Sequence, residues 1–302
     1  MSTEGNTIDG KKAAHFWQEE TRQAILAGGE GNEPRLKVIL VGDHPASRAY
    51  VTRKARIAEE VGIDAELIRL DENTSTRNLV DLIDELNQDP LTHGILVQLP
   101  LPGHCEEAKV LKAIDPRKDV DGFHALNVGR LHTDANVPSL LTPCTPMGCI
   151  RLLRDVFGDE GLGGKTAAII GRSNIVGKPM AALLLAADCT VMHLHSRTAA
   201  PEEMARQADI LVAAVGRPHM IGSSWVKDGA VVIDVGINRV PVGNGKTHLV
   251  GDVDFDEVAH KVRAITPVPG GVGPMTVAGL MHNTLLAARA QSADENSRAQ
   301  ST

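Results

Sequence analysis

Apolar residues along this chain follow two spacings, one typical of buried strands and the other of amphipathic helices. In the first third of the chain, short and nearly uninterrupted apolar runs predict three strands, at 35–42, 64–70 and 93–100. Helical spacing predicts three helices, at 9–28, 47–62 and 76–88. Helices that alternate with strongly apolar strands are typical of a parallel sheet covered on both faces.

A second series of the same kind follows in the other half of the chain. It contains four predicted strands, at 166–170, 189–196, 209–216 and 230–238, and predicted helices that begin near 177 and 201. The connection between the two series becomes helical after Pro146, and an apolar helix is predicted at 277–290.

This order predicts a two-lobed α/β protein. We expect residues 1–145, completed by a helix within 275–290, to form a three-layer α/β domain. Residues 146–274 are expected to form a Rossmann-like domain with a parallel sheet. Residues 291–302 carry too little apolar surface to fold, so we expect a disordered tail there.

The segment TAAIIGRSNIVGKPM, at 166–180, predicts a strand, a loop of small residues and the start of a helix. In dinucleotide-binding folds such a loop lets backbone N–H groups approach a pyrophosphate at the positive end of the helix. Gly171, Ser173 and Gly177 are the small residues, and their spacing departs from the usual G-x-G-x-x-G. Taken alone, the loop is therefore a weak motif.

The next predicted strand indicates which cofactor this loop binds. Folds specific for NAD place a carboxylate about 20 residues further on, where it binds the ribose 2′-hydroxyl. Residues 189–198 contain no Asp or Glu, and Ser196 and Arg197 stand near their end. A hydroxyl and a guanidinium suit a 2′-phosphate, so we expect NADP rather than NAD. The alternative is that Arg197 is a solvated loop residue, but Arg172 adds a second cation to the loop.

Candidate chemistry lies on the predicted helix at 47–62. Ser47, Tyr50 and Lys54 are spaced by three and four residues, so they share one helix face. Tyr50 is the only tyrosine of the chain, and its ring can stack on a flat ligand. Lys54 is a candidate acid–base group. The alternative is an ordinary solvated face, because Arg53 and Arg56 are close by.

Polar residues near the end of the third predicted strand add to this site. Gln98 is the single polar side chain within that apolar run, near the strand end where open α/β sheets bind ligands. A lysine ammonium, a substrate carbonyl or a catalytic water would each satisfy its amide. Asp115, Asp119 and Asp121 follow in a turn-rich segment. Because no His or further Glu stands at ligand spacing, we expect no metal, and we take Asp121 as a single anchoring carboxylate.

Composition narrows the class of protein further. The 302 residues, 42% of them hydrophobic, suffice for two cores. A formal net charge of −7 disfavours nucleic acid and anionic membrane surfaces as partners. No apolar run approaches the ~20 residues of a membrane span, and the polar, acidic amino terminus is unlike a signal peptide. The four scattered cysteines, without C-x-x-C spacing, predict reduced thiols in a cytoplasm.

Seven segments, taken in order, point to one family. They are SRAYVTRK, GILVQLPLP, DVDGF, PCTPMG, GRSNIVGKP, HSRT and TPVPGGVGPMT. In sequence and in order they resemble the bifunctional methylenetetrahydrofolate dehydrogenases/methenyltetrahydrofolate cyclohydrolases, over nearly the whole chain. One departure is Ala125–Leu126, where the family often carries Pro-Tyr.

The resemblance implies a folate-binding catalytic domain followed by an NADP-binding domain. It implies that Tyr50 stacks on the folate, that Lys54 and Gln98 form the catalytic pair, and that Asp121 holds the pterin. Ser47 shares that helix face, and the PGGVGP segment would close over the substrate, which adds Pro269, Gly270 and Gly273. The implied cofactor residues are Gly171, Arg172, Ser173, Ser196 and Ile237, to which the argument for a 2′-phosphate adds Arg197.

The activity implied is NADP-dependent oxidation of 5,10-methylenetetrahydrofolate, followed by hydrolysis of the methenyl product to 10-formyltetrahydrofolate. The family also implies a homodimer and a place in one-carbon metabolism, which serves purine, methionine and histidine biosynthesis. Two other classes remain open. A different NADP-dependent dehydrogenase would share 166–240 but would not need Tyr50, Lys54 and Gln98 together, and a non-catalytic regulator would bind NADP and turn over nothing.

Overall fold

The structure is a computed structural model that describes residues 6–29, 33–134, 137–241 and 247–299. The chain divides into two compact units. Residues 16–142 and 277–302 form one, which we call the three-stranded unit, and residues 1–15 and 143–276 form the other, the five-stranded unit. Helix α1 (Gly10–Leu26) opens the chain and α10 (Val272–Ala299) closes it.

The three-stranded unit contains the first predicted βαβαβ series. Its elements are β1 (Arg35–Val41), α2 (Pro45–Val61), β2 (Asp64–Leu70), α3 (Thr76–Gln88), β3 (Gly94–Val97), α4 (Glu107–Ala113) and α5 (Ala125–Thr133). The strands are parallel in the order β2-β1-β3, with Leu36 opposite both Ala65 and Gly94. Right-handed crossovers therefore place α2 and α3 on opposite faces of the sheet. The prediction of a parallel sheet is confirmed.

One face of this sheet packs against α3 and α4. The buried residues of this cluster come from β1, β3, α3 and the end of α4; they are Ile39, Val41, Leu79, Ile83, Ile95, Val97, Val110 and Ile114. Strand β3 ends at Val97, although the predicted strand continued to 100. Pro100 has no N–H to donate to a sheet, which explains the early end. Gln98 therefore lies just beyond the strand, and its N–H still donates to Ile39 O at 2.9 Å.

The five-stranded unit contains the second series. Its elements are α6 (Cys144–Phe157), β4 (Thr166–Ile170), α7 (Gly177–Ala186), β5 (Thr190–Leu194), α8 (Pro201–Ala205), β6 (Ile210–Ala213), β7 (Val231–Asp234), β8 (Asn238–Pro241), β9 (Thr247–Val250), α9 (Phe255–Val258) and β10 (Ala264–Ile265). The order β10-β7-β6-β4-β5 is parallel throughout, as predicted for a Rossmann-like domain. From β4 the chain passes first to β5 on one side of it and then to β6 on the other side. Doubly wound sheets bind ligands at the strand ends beside such a reversal.

The unit boundaries differ from the predicted ones at the amino terminus. The first 15 residues group with the five-stranded unit, not with the sheet that follows them in sequence. The reason is pairing with the distant strand β10: Ile8 N–H donates to Ile265 O at 2.8 Å, and Thr7 forms a parallel bridge to Ile265. The division between the units falls after Thr142, three residues before the predicted boundary.

Two helices extend beyond their predicted bounds. Helix α6 begins at Cys144, before Pro146, because a proline in the first helical turn lacks an N–H that would be unpaired there in any case. Helix α10 continues to Ala299, so the prediction of a disordered tail from 291 is wrong for 291–299, and residues 300–302 lie outside the described chain. Gln291 Nε2 donates to His93 O at 2.9 Å, which holds the helix beyond its apolar part. Within the ranges that the structure describes, no helix is both long and apolar enough to cross a membrane.

Candidate active site

Helix α2 brings the first candidate residues together. Pro45 opens the helix, where its fixed φ suits the first turn, and Gly62 ends it with a φ of 87°. Tyr50 is half-buried and Lys54 is only 6% exposed, with its Nζ 5.5 Å from the centroid of the Tyr50 ring. A solvated helix face is therefore wrong as an explanation of Lys54.

The buried Lys54 amine has a defined hydrogen-bond partner just beyond the end of β3. Lys54 Nζ donates to Gln98 Oε1 at 3.1 Å, and Gln98 Nε2 donates to Leu99 O at 2.7 Å. Of the three partners considered for Gln98, the structure shows the lysine. Both ends of the amide are engaged, so the direction of its oxygen is set. Lys54 has three N–H donors, and this bond uses one of them.

The three aspartates after β3 have different surroundings. Asp119 is buried and accepts from His124 N at 2.8 Å and from Asn127 Nδ2 at 2.9 Å, so it organises its own loop. Asp115 pairs with Arg117. Asp121 alone among the three is influenced by the charge of Lys54.

Burial and neighbouring charges set the ionisation of two side chains here. Desolvation raises the pKa of Asp121 to about 6, against the lowering effect of the Lys54 charge and with a smaller raising effect of Asp119. Asp121 is therefore mostly ionised at neutral pH. Desolvation also raises the pKa of Tyr50, so its phenol keeps its proton.

In the five-stranded unit, the predicted phosphate loop joins β4 to α7. Gly171 has a φ of 122°, and a Cβ there would lie 2.1 Å from Ala214 O. A Cβ on Gly177 would lie 2.2 Å from Gly171 O. Only glycine fits at either position, and the narrow turn this creates suits the close approach of a pyrophosphate to the amino end of α7.

Ser173 stands where the usual pattern has its second glycine. Its Oγ accepts from Val176 N at 3.1 Å and from Gly177 N at 3.3 Å, which caps the start of α7. The hydroxyl keeps its own proton for donation to an anionic oxygen. His193 Nε2 lies 2.7 Å from Gly171 O, so the loop is also tied to β5.

The remaining cofactor candidates are exposed at the ends of neighbouring strands. Arg172 lies in the phosphate loop, and Ser196 and Arg197 follow β5. Arg197 N–H donates to His195 Nδ1 at 3.1 Å, which shapes the turn. Ile237 follows β7 and is 54% exposed, unusual for a large apolar side chain beside strands that are fully buried.

Other candidate substrate residues lie in the five-stranded unit. Pro269 and Gly270 form the turn before α10, where Gly270 has a φ of 112°, and Gly273 lies in the first turn of the helix. Ser47 lies with Tyr50 and Lys54 in the three-stranded unit. The shared role of these two groups stays a prediction. The described residues contain no group of three His, Cys, Asp or Glu side chains that could hold a metal ion.

Sequence reasoning did not single out two buried carboxylates, Asp234 and Asp252. Each lies within two residues of a glycine, Asp234 in the segment DVG and Asp252 in the segment GDVD. That pairing of an acid with glycine at the end of an apolar run is the signal that could have identified them, because a buried carboxylate needs close backbone donors.

The fold and the candidate site define a class of protein: a two-domain α/β enzyme with a parallel nucleotide-binding sheet and a separate buried Lys–Gln pair. Two family models match the chain. The catalytic domain of tetrahydrofolate dehydrogenase/cyclohydrolase matches residues 8–121, and the NAD(P)-binding domain of the same family matches residues 143–292. The chain belongs to the tetrahydrofolate dehydrogenase/cyclohydrolase family.

Individual relatives agree with this assignment. Bifunctional protein FolD 2 of Ectopseudomonas mendocina is 57% identical over 285 residues, 94% of this chain and 92% of that protein. The FolD crystal structure from Campylobacter jejuni is 47% identical, with a TM-score of 0.88, and the match covers 94% of this chain and 98% of that one. The Trypanosoma brucei FolD structure, complexed with NADP and an inhibitor, is 36% identical, with a TM-score of 0.88 and coverages of 95% and 98%.

Proposed function

We propose that this chain is a bifunctional enzyme that oxidises 5,10-methylenetetrahydrofolate with NADP and hydrolyses the methenyl product to 10-formyltetrahydrofolate. The observation that carries the proposal is the hydrogen bond from the buried Lys54 Nζ to Gln98 Oε1, on the helix of Tyr50 and within reach of the Asp121 charge. The Campylobacter relative is described as a bifunctional methylenetetrahydrofolate dehydrogenase/cyclohydrolase, and the Ectopseudomonas relative is named bifunctional protein FolD 2. Neither another dehydrogenase nor a non-catalytic regulator is favoured by any of these observations.

Oxidation requires the chain to hold the folate in one orientation. NADP, when bound, supplies the hydride acceptor. The Tyr50 ring offers a stacking surface and the ionised Asp121 carboxylate accepts N–H donors of the pterin. A ring-nitrogen lone pair on the folate supplies the electrons as hydride leaves the one-carbon bridge, so this step needs no protein base. Alignment of the reacting atoms is the contribution of the protein.

Hydrolysis requires proton movement as well. Water adds to the methenyl carbon, and one C–N bond then breaks to open the ring. Lys54 takes up the proton of the attacking water and returns it to the departing ring nitrogen. Gln98 holds the lysine nitrogen through its oxygen. The Lys54–Gln98 pair is thus suited to hydrolysis of the methenyl product.

Residues of the five-stranded unit support NADP as the cofactor. The glycine turn at Gly171 and Gly177 leaves room for a pyrophosphate, and the Ser173 hydroxyl can donate to it. Ser196 and Arg197 stand where an NAD enzyme carries a carboxylate, and both are exposed to a ligand.

The test is an absorbance assay of 5,10-methylenetetrahydrofolate oxidation with NADP and with NAD. We expect NADP to be preferred by roughly 10- to 100-fold, the value of a charged hydrogen-bond pair. Arg197→Ala should remove most of that preference by weakening NADP alone. Arg206→Ala, an exposed arginine of the same unit, is the control and should change neither cofactor.

Two outcomes would contradict different parts of this proposal. An equal loss with both cofactors in Arg197→Ala would show that Arg197 does not bind the 2′-phosphate. No turnover of the folate by the parent protein with either cofactor would refute the proposed activity itself.

We also propose that the enzyme is a cytoplasmic homodimer that serves purine, methionine and histidine biosynthesis through one-carbon units. Family membership supports this, and all four cysteines are free, as suits a reducing compartment. The domain roles remain those predicted: folate in the amino-terminal domain and NADP in the domain that follows. Sedimentation velocity on the purified chain tests the dimer, since a monomer at micromolar concentration would contradict it.

A further inference from the structure

Asp252 lies two residues after the end of the short hairpin strand β9, and its carboxylate is completely buried among N–H donors. Its Oδ2 accepts from Val215 N at 2.6 Å and from Gly216 N at 3.0 Å. Its Oδ1 accepts from Arg217 N at 2.9 Å and from Asn238 Nδ2 at 2.9 Å. Four donors therefore converge on its two oxygens, and three of them are consecutive backbone amides.

Such an arrangement fixes the shape of the loop that contains these amides. A carboxylate has about four lone-pair sites, and here every one has a donor. Hydrogen bonds to a charged acceptor are about twice as strong as neutral ones. The loop at 214–217 follows β6 and includes Gly216, with a φ of 67°. Without the carboxylate, three consecutive backbone N–H groups would lose their acceptor.

This loop borders the phosphate turn at the reversal point of the sheet. Strands β4 and β6 are the neighbours between which the strand order reverses, and each is followed by one of the two loops. The two loops are in close contact, because a Cβ on Gly171 would lie only 2.1 Å from Ala214 O. A shift of the β6 loop would therefore be transmitted to Gly171.

The same carboxylate reaches the loop that follows β7. Asn238, whose side chain it holds, is the neighbour of Ile237, and Ile237 is a cofactor candidate. Asp252 thus connects two loops at the ends of adjacent strands, β6 and β7. Both loops lie at the carboxyl ends of the strands, where a doubly wound fold binds its nucleotide.

A second buried carboxylate holds Asp252 itself. Asp234, at the end of β7, accepts from Gly236 N at 2.9 Å, Asp252 N at 3.0 Å and Val253 N at 2.9 Å. The packing is tight: a Cβ on Gly251 would lie 1.8 Å from Asp234 Oδ2, and one on Gly236 would lie 2.4 Å from Asp252 Oδ1. The two glycines are required by the two acids.

We propose that Asp252 is a positioning residue for the NADP site, because its carboxylate sets the conformation of the loops after β6 and β7 against the phosphate turn. This inference rests on the proposed function, since it assumes that the five-stranded unit binds NADP. Asp252 itself need not contact the cofactor. Displacements of about 1 Å in supporting residues are enough to weaken a preorganised site by large factors.

The experiment is a direct measurement of the Kd for NADP by calorimetry, with no turnover involved, on the parent chain and on Asp252→Asn. An asparagine of equal shape presents one oxygen and one NH₂ group, so two of the four donors would face another donor. We expect the Kd to rise by about 10- to 100-fold. The KM for the folate should stay within twofold, which a general loss of structure would not allow.

Asp254→Asn is the matched control. Asp254 lies two residues further on, and its carboxylate accepts from one amide, Glu257 N at 3.2 Å, at the start of α9. Asparagine is an equally good cap there, so the Kd for NADP should not change. Hydrogen exchange of the amides at 215–217, measured without cofactor, should accelerate in Asp252→Asn and not in Asp254→Asn.

The outcomes separate this inference from the proposed function. If the parent chain does not bind NADP, the proposed cofactor is wrong. If the parent chain binds it and Asp252→Asn binds equally well, only the positioning role is wrong. Should Asp252→Asn fail to fold, Asn238→Ala decides: it removes one donor, and a severalfold rise in Kd supports the inference whereas an unchanged Kd overturns it.

Discussion

Lys54, a buried lysine of the three-stranded unit, is the proposed acid–base group of the hydrolysis step. Lys54→Met keeps the apolar stem of the side chain and removes the amine. Cyclohydrolase activity should fall by about 10²- to 10⁴-fold, the usual effect of losing a general acid–base group. Dehydrogenase activity should survive in part, because hydride transfer needs alignment but no proton acceptor. Methenyltetrahydrofolate decay and NADPH formation, followed separately, measure the two activities.

Two further variants make this prediction specific. Gln98→Leu should reduce both activities, since the amide orients the lysine and the bound ring together. Arg56→Met changes a cation of the same helix that pairs with Glu60 at the surface, and such pairs contribute little. It should leave both activities unchanged. An equal loss of both activities in Lys54→Met, or no loss of either, would mean that another group moves the proton.

Individual residues were predictable where a polar side chain interrupts an apolar pattern. Gln98 within an apolar run is such a case, whereas Lys54 was predicted from its spacing to Ser47 and Tyr50 on one helix face. Asp234 and Asp252 were not, because an acid after an apolar run is also what a turn contains. Their hydrogen-bond donors, which are backbone amides except for Asn238 Nδ2, come from segments that are separate in sequence.

At the scale of elements, the sequence predicts the long and regular ones best. The bounds of β2 and α3 agree with the predicted 64–70 and 76–88. The prediction missed α4, α5, the β8–β9 hairpin and β10, which have between two and nine residues each. Such short elements depend on tertiary contacts: α5, for example, is held by Asn127 Nδ2, which donates to Asp119 Oδ2 and Pro116 O.

The start of α7 gives a prediction about an element as a whole. A methyl group on Gly177 would lie 2.2 Å from the backbone oxygen of Gly171, so Gly177→Ala must displace either the helix start or the phosphate turn. We expect the Kd for NADP to rise at least tenfold. The sheet behind the loop should remain folded, because β4 is held by its pairs to β5 and β6. Calorimetric titration with NADP and far-ultraviolet circular dichroism measure the two effects.

Gly163→Ala is the control for that variant. Gly163 lies in a turn of the same unit, and its added methyl group would have no neighbour closer than 3.7 Å. Its Kd for NADP should equal that of the parent chain. Unimpaired binding in Gly177→Ala would show that the turn is not the pyrophosphate site.

At the scale of the whole molecule, contacts between distant segments escape sequence reasoning. Residues 6–8 join the five-stranded unit through bonds to Val262 and Ile265, more than 250 positions away. Nothing in a local pattern signals such a partner. The buried acids of this unit also shape its stability, since they place negative charge in the interior without a cation bound to it in the described hydrogen-bond network.

Asp234 links that stability to pH. Desolvation raises its pKa to about 6, against the lowering effect of three backbone amides and with a further rise from Asp252. Between pH 3.8 and about 6, Asp234 therefore keeps a proton in the folded unit that it has lost in the unfolded chain, where its pKa is 3.8. This contribution favours the folded state at low pH and disappears as pH rises through 6. Between pH 4.5 and 7.5 it amounts to about 2 kcal/mol.

Asp234→Asn should remove this pH dependence. Between pH 4.5 and 7.5, the free energy of unfolding of the five-stranded unit changes with pH in both proteins. We expect its decrease to be about 2 kcal/mol smaller in the variant than in the parent chain. Urea unfolding can be followed in a Trp17→Phe background, which leaves Trp225 of this unit as the one indole. Asp209→Asn is the control: Lys227 and Thr166 lower the pKa of Asp209 below 3.8, so that its loss should shift stability equally at both pH values. Parallel pH profiles for Asp234→Asn and the parent chain would show that Asp234 does not retain its proton in the folded state.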